Sequence, residues 1–198
     1  PASIHRARAA LDANGKVTGY EFMSRAFSRA TIDSNESDPR DSLVGMELGL
    51  APKAGVGFGT PSESYGFEGK LLGWEVIPDL IASASPMRTS HLRDPVGLQI
   101  QFASEQFMDE LAYATGDDPV AFRLKYAKAP RDLAVLKAAA DKSGWQPRGN
   151  APRDRSANTL TGRGIAYAQR AGTIVAVVAE IEVDRKTGRI WGRKFTVA

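Results

Sequence analysis

The chain has 198 residues, of which 42% are hydrophobic and 25% are charged, enough for one large domain or two small ones. It contains no cysteine, which excludes disulfides, thiolate metal sites and iron–sulfur clusters within this chain. The formal net charge is only +3 and the charges are mixed, so a nucleic-acid partner is not required. No apolar run is long enough to span a membrane, and both ends look cut, so we expect a processed or excerpted piece of a longer protein.

A β-hairpin is predicted at the start of the chain. Residues 3–12 read as a strand, and Asn14-Gly15 is a strong signal for a tight turn. Residues 16–27 contain valine, tyrosine and phenylalanine, which favour a returning strand. Such a hairpin is scaffold.

The next part of the chain is the least regular. Residues 28–68 are rich in Ser, Asp, Gly and Pro, which predicts a long surface excursion with little structure of its own. A GxGxG pattern at residues 55–59 has neither the strand nor the helix that a phosphate-binding loop needs, so a flexible loop is favoured. Residues 71–84 are apolar but divided by Pro78, which predicts two short pieces, the second of them a strand.

Residues 85–112 carry the clearest pattern, a basic loop followed by an amphipathic helix. One helical face repeats apolar residues, namely Ile100, Ala103, Phe107, Met108 and Leu111. The other side carries polar and acidic residues, namely Ser104, Glu105, Asp109 and Glu110. We expect the adjacent acids of this second set to be solvated rather than catalytic.

The start of this helix is a candidate anion site. Residues 97–99 form its first turn, where free backbone N–H groups point back toward the loop that carries Arg88, His91 and Arg93. This arrangement predicts an anion cradle surrounded by basic side chains. An ordinary core helix behind a solvated basic loop explains the same spacing, and spacing alone favours that simpler reading.

Two further helices are predicted. Gly116 suits a left-handed helix end, Asp118 an N-cap and Pro119 the first position of a short helix. Residues 132–144 form another helix, onto which we expect Trp145 to pack.

The C-terminal part is predicted to be a polar loop followed by strands. In the loop at residues 146–161, the arginines at 148, 153 and 155 offer charges for phosphate or nucleic acid, but a solvated polar loop is the favoured interpretation. A short strand follows at residues 164–167, and residues 173–183 and 189–197 form a second hairpin. Two hairpins flanking three helices give an α+β fold.

We expect three consecutive segments: a hairpin with an irregular excursion at 1–84, a loop with helices at 85–145, and a loop with a hairpin at 146–198. No complete catalytic constellation is present, because the two histidines, His5 and His91, are far apart and neither HExxH nor GxSxG occurs. Two readings besides an enzyme component stay open: a non-catalytic scaffold or assembly module of a multi-chain complex, and nucleic-acid binding through the basic loop.

The central segment resembles the molybdenum hydroxylases. SPMRTSHLRDPVGLQIQFASEQFMDELA resembles the family block P-L-R-T-x-x-L-R-x-x-G-x-x-x-x-F-A-x-E-x-F-x-D-E-L-A. The similarity is greatest to the large, molybdopterin-binding subunit of the isoquinoline 1-oxidoreductase and aldehyde dehydrogenase branch. TGDDPVAFRLKYA, DLAVLKAAADKSGW and VAVVAEIEVDRKTGRI resemble the blocks that follow, and the resemblance covers essentially the whole chain as a middle fragment of that subunit.

The resemblance implies a site for the molybdenum–molybdopterin cofactor, shared with other segments or chains. Arg93 falls on a family arginine whose backbone lies against this cofactor, Leu92 and His91 flank it, and Arg88 supports the loop. Pro95 occupies a position where xanthine-type relatives have an aromatic residue that stacks on the substrate, which argues against a flat purine substrate. None of these residues is expected to bind the metal directly or to be catalytic.

The resemblance also implies an activity and partners. The complete assembly is expected to oxidise an aldehyde or an N-heteroaromatic substrate with water as the oxygen source. The blocks with the Gly-rich cofactor segment and the catalytic Glu are missing, so this chain alone is expected to be inactive. Expected partners are the remaining large-subunit segments, a subunit that carries iron–sulfur clusters, and a cytochrome c or flavin subunit, with no nucleic acid and no membrane span. The family branch implies a periplasmic or inner-membrane-associated location, with a cytoplasmic location as the open alternative.

Overall fold

A computed structural model describes residues 2–28, 38–50, 57–62, 64–78, 96–147 and 157–198. Its strands are β1 (Ser3–Leu11), β2 (Val17–Ala26), β3 (Gly69–Val76), β4 (Thr159–Arg170), β5 (Thr173–Asp184) and β6 (Ile190–Val197). Its helices are α1 (Leu43–Glu47), α2 (Gly97–Thr115), α3 (Pro119–Tyr126) and α4 (Pro130–Ser143), with a 3-10 turn at Pro39–Asp41. The predicted α+β class, with a hairpin on either side of three helices, is confirmed.

Contacts divide the chain into two compact units. The first draws on Pro1–Ala10, Thr18–Pro61 and Gly69–Ser104, and the second on Leu11–Val17, Ser62–Glu68 and Glu105–Ala198. The boundary therefore falls within α2. The three consecutive segments expected from the sequence stay a prediction.

The first unit contains a three-stranded sheet in the order β1-β2-β3. The predicted hairpin forms β1 and β2, and β3 lies parallel to β2 with Phe22 opposite Leu72. One face of β2 is buried through alternate residues, namely Tyr20, Phe22, Ser24 and Ala26. Of the two pieces expected within residues 71–84, the first is part of β3, and the second lies outside the described residues.

The prediction that residues 28–68 form an exposed segment with little structure is wrong for much of the part that the structure describes. The backbone forms the 3-10 turn and α1, and the side chains of Phe58, Tyr65 and Phe67 are buried. The prediction relied on the high content of Gly, Ser and Pro, which indicates irregular backbone but not exposure. The three aromatic rings are buried because each carries a large apolar area. Of the GxGxG pattern, Gly57 and Gly59 lie in backbone without regular structure, and Gly55 is outside the described residues.

The second unit contains an antiparallel sheet in the order β4-β5-β6. Strand β4 pairs along the whole of β5 and is therefore longer than the short strand expected at residues 164–167. Its buried positions, Ile165 and Tyr167, lie opposite Val178 and Ala176 of β5. Helix α4 contacts β5, and α3 contacts both α4 and β4, so these helices cover one face of the sheet.

The predicted start of α3 and the predicted end of α4 are confirmed, whereas α4 begins at Pro130, before the predicted Asp132. The Asp118 side chain accepts hydrogen bonds from the backbone N–H groups of Val120 and Ala121 at 2.9 and 3.2 Å. Gly144 closes α4 with a left-handed φ of 61°. The Trp145 indole N–H, expected against α4, donates to the Asp118 carboxylate at 3.1 Å and so ties the end of α4 to the start of α3.

Replacing Asp118 with alanine is expected to lower the free energy of unfolding by about 1–2 kcal/mol, because the α3 N–H groups lose their acceptor. The Trp145 indole loses its partner in the same variant. Urea denaturation followed by circular dichroism measures the change. Asp118→Asn is the matched control, since its amide oxygen still accepts at the N-cap. It should lose clearly less stability, and an equal loss in both variants would contradict the capping role.

Candidate functional site

The residues expected to contact a cofactor lie just before α2. Arg88, His91, Leu92 and Arg93 are all outside the described residues, and so is Pro95. Their role stays a prediction. The helix that follows them begins at Gly97, as expected, and has no acidic side chain in its first turn. No carboxylate of that turn therefore opposes an anion at the start of α2.

Helix α2 is oriented differently from its expected amphipathic pattern. Ile100, Met108 and Leu111 are buried as predicted, but Ser104 and Glu105 are buried as well, with only 5% of Glu105 exposed. The expectation that these polar residues face solvent is wrong, and of the two adjacent acids only Glu110 is exposed. The apolar Leu98, Phe102 and Tyr113 are exposed instead.

The physical reason is Arg123 of α3, which is fully buried in the second unit. Its Nε donates to Glu105 Oε2 at 2.8 Å, and its Nη1 donates to Asp109 Oδ1 at 2.7 Å. Nη1 and Nη2 also donate to the backbone carbonyls of Pro119 and Glu105 at 3.1 and 3.0 Å. A buried guanidinium needs opposite charges and acceptors for its N–H groups, and α2 supplies most of them.

The Glu105 carboxylate is also held by two tyrosines. The Tyr65 hydroxyl donates to Oε1 at 2.8 Å, and the backbone N–H of Tyr167 donates to Oε2 at 3.1 Å. The Tyr167 hydroxyl accepts from the backbone N–H of Ser64 at 2.9 Å and lies 3.3 Å from Asp132 Oδ2. We call Glu105, Asp109, Arg123, Tyr65 and Tyr167 the charge cluster. It joins α2, α3, β4 and residues 62–68.

The electrostatics of the charge cluster favour a fixed ionisation state. Burial opposes the positive charge of Arg123, but the carboxylates of Glu105 and Asp109 outweigh it, so the pKa of Arg123 lies above its ordinary value. Burial, together with the Glu105 charge, raises the pKa of Tyr65 well above 10.0. At neutral pH Arg123 is therefore a cation and the phenol of Tyr65 is neutral.

These groups are arranged for structure rather than for catalysis. Both Glu105 oxygens and all three nitrogens of the Arg123 guanidinium are engaged within the unit, so neither side chain offers a reactive atom to a substrate. A signal for this cluster was present in the sequence. Val120, Arg123 and Tyr126 are spaced three residues apart, which places them on one face of a helix, and all three are buried.

A polar cluster lies around His5 among the described residues of the first unit. Its two ring nitrogens form hydrogen bonds of 2.9 Å with the hydroxyls of Ser3 and Ser24. Its ring lies 5.5 and 6.1 Å from the rings of Phe22 and Phe58, and burial lowers the pKa of His5. A half-buried histidine between two hydroxyls is satisfied as a structural group.

Potential metal ligands are scattered over the described part of the chain. Within it, no group of three or more His, Asp or Glu side chains is placed to hold a metal ion. The helices in that same part include none that is both long and apolar enough to cross a membrane.

Two curated proteins are similar to the chain. It is 29% identical over 194 residues to a nicotinate dehydrogenase subunit of Pseudomonas putida, a match that covers 91% of this chain and 15% of that protein. It is 29% identical over 134 residues to the beta subunit of isoquinoline 1-oxidoreductase from Brevundimonas diminuta, which covers 62% of this chain and 16% of that protein. The chain thus spans less than a fifth of the length of these relatives. No family model matches it.

Two solved structures are also similar to the chain, those of the aldehyde oxidoreductases from Desulfovibrio desulfuricans and Desulfovibrio gigas. Each match covers 95% of this chain and 20% of the other chain. The identities are 17% and 18%, with TM-scores of 0.48 and 0.47.

The curated relatives agree with the resemblance carried by the sequence motifs. Both names are those of oxidoreductase subunits, and isoquinoline 1-oxidoreductase is the enzyme after which the indicated branch is named. The two curated relatives support a place for the chain in the molybdenum hydroxylase family.

Replacing Arg123 with methionine is expected to lower the free energy of unfolding by about 3–5 kcal/mol, because it leaves the Glu105 carboxylate buried without its cation. Urea denaturation measures this loss. Lys125→Met is the matched control, since Lys125 lies on the same helix and forms an exposed ion pair with Asp117. It should leave the urea midpoint nearly unchanged. Equal effects of the two substitutions would contradict the structural role of Arg123.

Tyr65→Phe removes the hydroxyl that donates to Glu105 and should lower the free energy of unfolding by about 1–3 kcal/mol at neutral pH. The raised pKa of Tyr65 adds a pH dependence, because above pH 10.0 only the unfolded wild type releases this proton. This stabilising contribution is complete below that pH and is lost as the pH rises. The difference in free energy of unfolding between wild type and Tyr65→Phe should therefore become smaller above pH 10.0.

Urea denaturation at neutral pH and at pH of about 11, one unit above the ordinary tyrosine pKa, tests this sign. Tyr113→Phe is the control, because Tyr113 lies on α2 and is 90% exposed. The difference in free energy of unfolding between wild type and Tyr113→Phe should stay small at both pH values. A difference for Tyr65→Phe that becomes larger at alkaline pH would show that the hydroxyl is not the protonated donor to Glu105.

Proposed function

We propose that this chain is a segment of the molybdopterin-binding subunit of a molybdenum hydroxylase that oxidises an N-heteroaromatic or aldehyde substrate, with water as the oxygen source. The observation that carries the proposal is the similarity to the nicotinate dehydrogenase subunit over 91% of the chain. Nicotinate and isoquinoline, named in the two curated relatives, are both N-heteroaromatic compounds. This favours an N-heteroaromatic substrate over an aldehyde.

The segment contributes to the cofactor wall through the loop before α2. In this proposal Arg93, flanked by Leu92 and His91 and supported by Arg88, contacts the molybdenum–molybdopterin cofactor. The start of α2 at Gly97, with no acidic side chain in its first turn, supports an anionic group at this end of the helix. When bound, the cofactor supplies the redox chemistry, and the residues of this chain bind and orient it.

The reactive groups come from elsewhere in the assembly. In this proposal the Gly-rich cofactor segment and the catalytic Glu belong to other parts of the large subunit. In this proposal a partner subunit carries the iron–sulfur clusters, and this chain has no cysteine to hold one itself. The remaining large-subunit segments and a cytochrome c or flavin subunit complete the complex, in a periplasmic or inner-membrane-associated location.

A non-catalytic assembly module is the second candidate. It is favoured by the exposed apolar residues of α2, namely Leu98, Phe102 and Tyr113. The two candidates differ in the metal content of the purified complex. A complex without molybdenum and without pterin would leave only the assembly role.

Arg93→Ala in the complete large subunit is expected to lower the bound molybdenum and pterin several-fold, because the loop whose backbone lies against the anionic cofactor loses a positive charge. Metal analysis and pterin fluorescence of the purified subunit measure the loss. Arg25→Ala is the control, since Arg25 is exposed and pairs with Glu75 on the first sheet. It should retain wild-type molybdenum.

The folded state of both variants is compared by circular dichroism, so that loss of cofactor is separated from loss of structure. Wild-type molybdenum and pterin in a folded Arg93→Ala subunit would contradict the contact. Nicotinate-type and aldehyde substrates, assayed on the same wild-type complex, distinguish the two substrate classes.

A further inference from the structure

The register of the second sheet separates its residues into two faces. Ile165 lies opposite Val178 and Tyr167 opposite Ala176, and all four are buried on the face that carries the helices. The residues between them in sequence point to the other side of the sheet. We call this second side the outer face of the sheet.

The outer face is almost entirely apolar. Strand β4 presents only Leu, Gly and Ala at alternate positions from Leu160 to Ala168, and β5 presents only Val, Ala and Ile from Val175 to Val183. Strand β6 adds four residues, namely Ile190, Gly192, Phe195 and Val197. The first charge on this face, Arg170, stands beside the β4–β5 turn. A sheet face exposed to water normally carries polar side chains.

The first sheet provides an internal comparison. Its outer face carries ion pairs between Arg8 and Glu21 and between Arg25 and Glu75. That pattern is what solvent exposure of a sheet face requires. The second sheet, whose strands are all among the described residues, has no such pairs on its outer face, although Ile190, Phe195 and Val197 are 64%, 63% and 51% exposed in this chain.

Gly164 on β4 gives an independent indication. A Cβ at this position would meet no atom within 4 Å, and its φ lies outside the range that favours glycine. Neither the packing nor the backbone of this chain therefore requires glycine there. Glycine in a strand permits the close approach of another layer.

We propose that the outer face of β4, β5 and β6 is an internal packing surface, covered by another layer of the same large-subunit polypeptide. The inference rests on the proposed function. The curated relatives extend far beyond the matched region, so most of such a polypeptide is available to form this layer. A face without charges over most of three strands resembles the interior of a folded chain more than a transient interface.

A matched pair of cysteine variants in the complete large subunit tests this packing. Ala166 on β4 and Ala10 on β1 are both exposed alanines on edge strands, and each lies on the outer face of its sheet. This chain has no cysteine of its own, so each new thiol is identified by peptide mass spectrometry. The rate of alkylation in the native subunit is compared with the rate in urea.

Ala166→Cys should react at least about 100-fold more slowly in the native subunit than in urea, because another layer covers it. Ala10→Cys should react readily in both conditions. Equal native reactivity of the two thiols would overturn the proposal. Protection of Ala166→Cys that disappears on dilution, or when the iron–sulfur subunit is removed, would assign the face to a second copy or to the partner and would also overturn it.

Gly164→Val provides a second measurement on the complete subunit. Because a Cβ is accommodated within this chain, a melting temperature that falls further than that of the control variant would locate the clash in the covering layer. Gly19→Val is the control, on the outer face of the first sheet, where a Cβ meets only Ala10 at 3.7 Å. A wild-type melting temperature for Gly164→Val would contradict the proposal.

Molybdenum content of the same samples keeps the two proposals separate. Protection of Ala166→Cys in a subunit without molybdenum would contradict the proposed function and retain the packing surface. A molybdenum-loaded subunit in which the thiol of Ala166→Cys reacts readily would support the proposed function and contradict the packing surface.

Discussion

The buried guanidinium of Arg123 is the constraint on which the second unit depends. Removing such a cation from water is costly unless carboxylates and carbonyls surround it, and Glu105, Asp109 and the Pro119 carbonyl do so. These acceptors fix the orientation of α2 relative to α3. The Glu105 carboxylate also accepts hydrogen bonds from the Tyr65 hydroxyl and from the backbone N–H of Tyr167. Helices α2 and α3, strand β4 and residues 62–68 therefore meet at one ion pair.

This arrangement assigns a structural role to residues that look chemical in the sequence. Two motifs that resemble the molybdenum hydroxylases, FASEQFMDELA and AFRLKYA, contain Glu105, Asp109 and Arg123. Arg123 forms ion pairs with both Glu105 and Asp109. The outer face of the second sheet shows the complementary property, since its apolar residues find no covering layer within the described chain. The unit is thus held together internally by charge and presents an apolar surface outward.

The sequence predicted the elements whose signals are local. Asn14-Gly15, Asp118, Pro119 and Gly144 each act through their own backbone or its near neighbours, and the hairpins and helices that they delimit are confirmed. The buried side of α2 was predicted incorrectly because Glu105 is buried only by virtue of Arg123, eighteen residues away. The fold around Tyr65 was missed for a similar reason, since its burial depends on contacts distant in sequence.

A double-mutant cycle between Glu105→Gln and Arg123→Met tests most directly the claim that this ion pair organises the unit. Free energies of unfolding of the wild type, both single variants and the double variant are measured by urea denaturation. The account predicts that the double variant is less destabilised than the sum of the single variants by at least about 1.5 kcal/mol. Arg123→Met leaves the Glu105 carboxylate without its cation, and Glu105→Gln leaves the buried guanidinium with Asp109 as its one remaining carboxylate partner in the cluster. Additive effects of the two substitutions would contradict it.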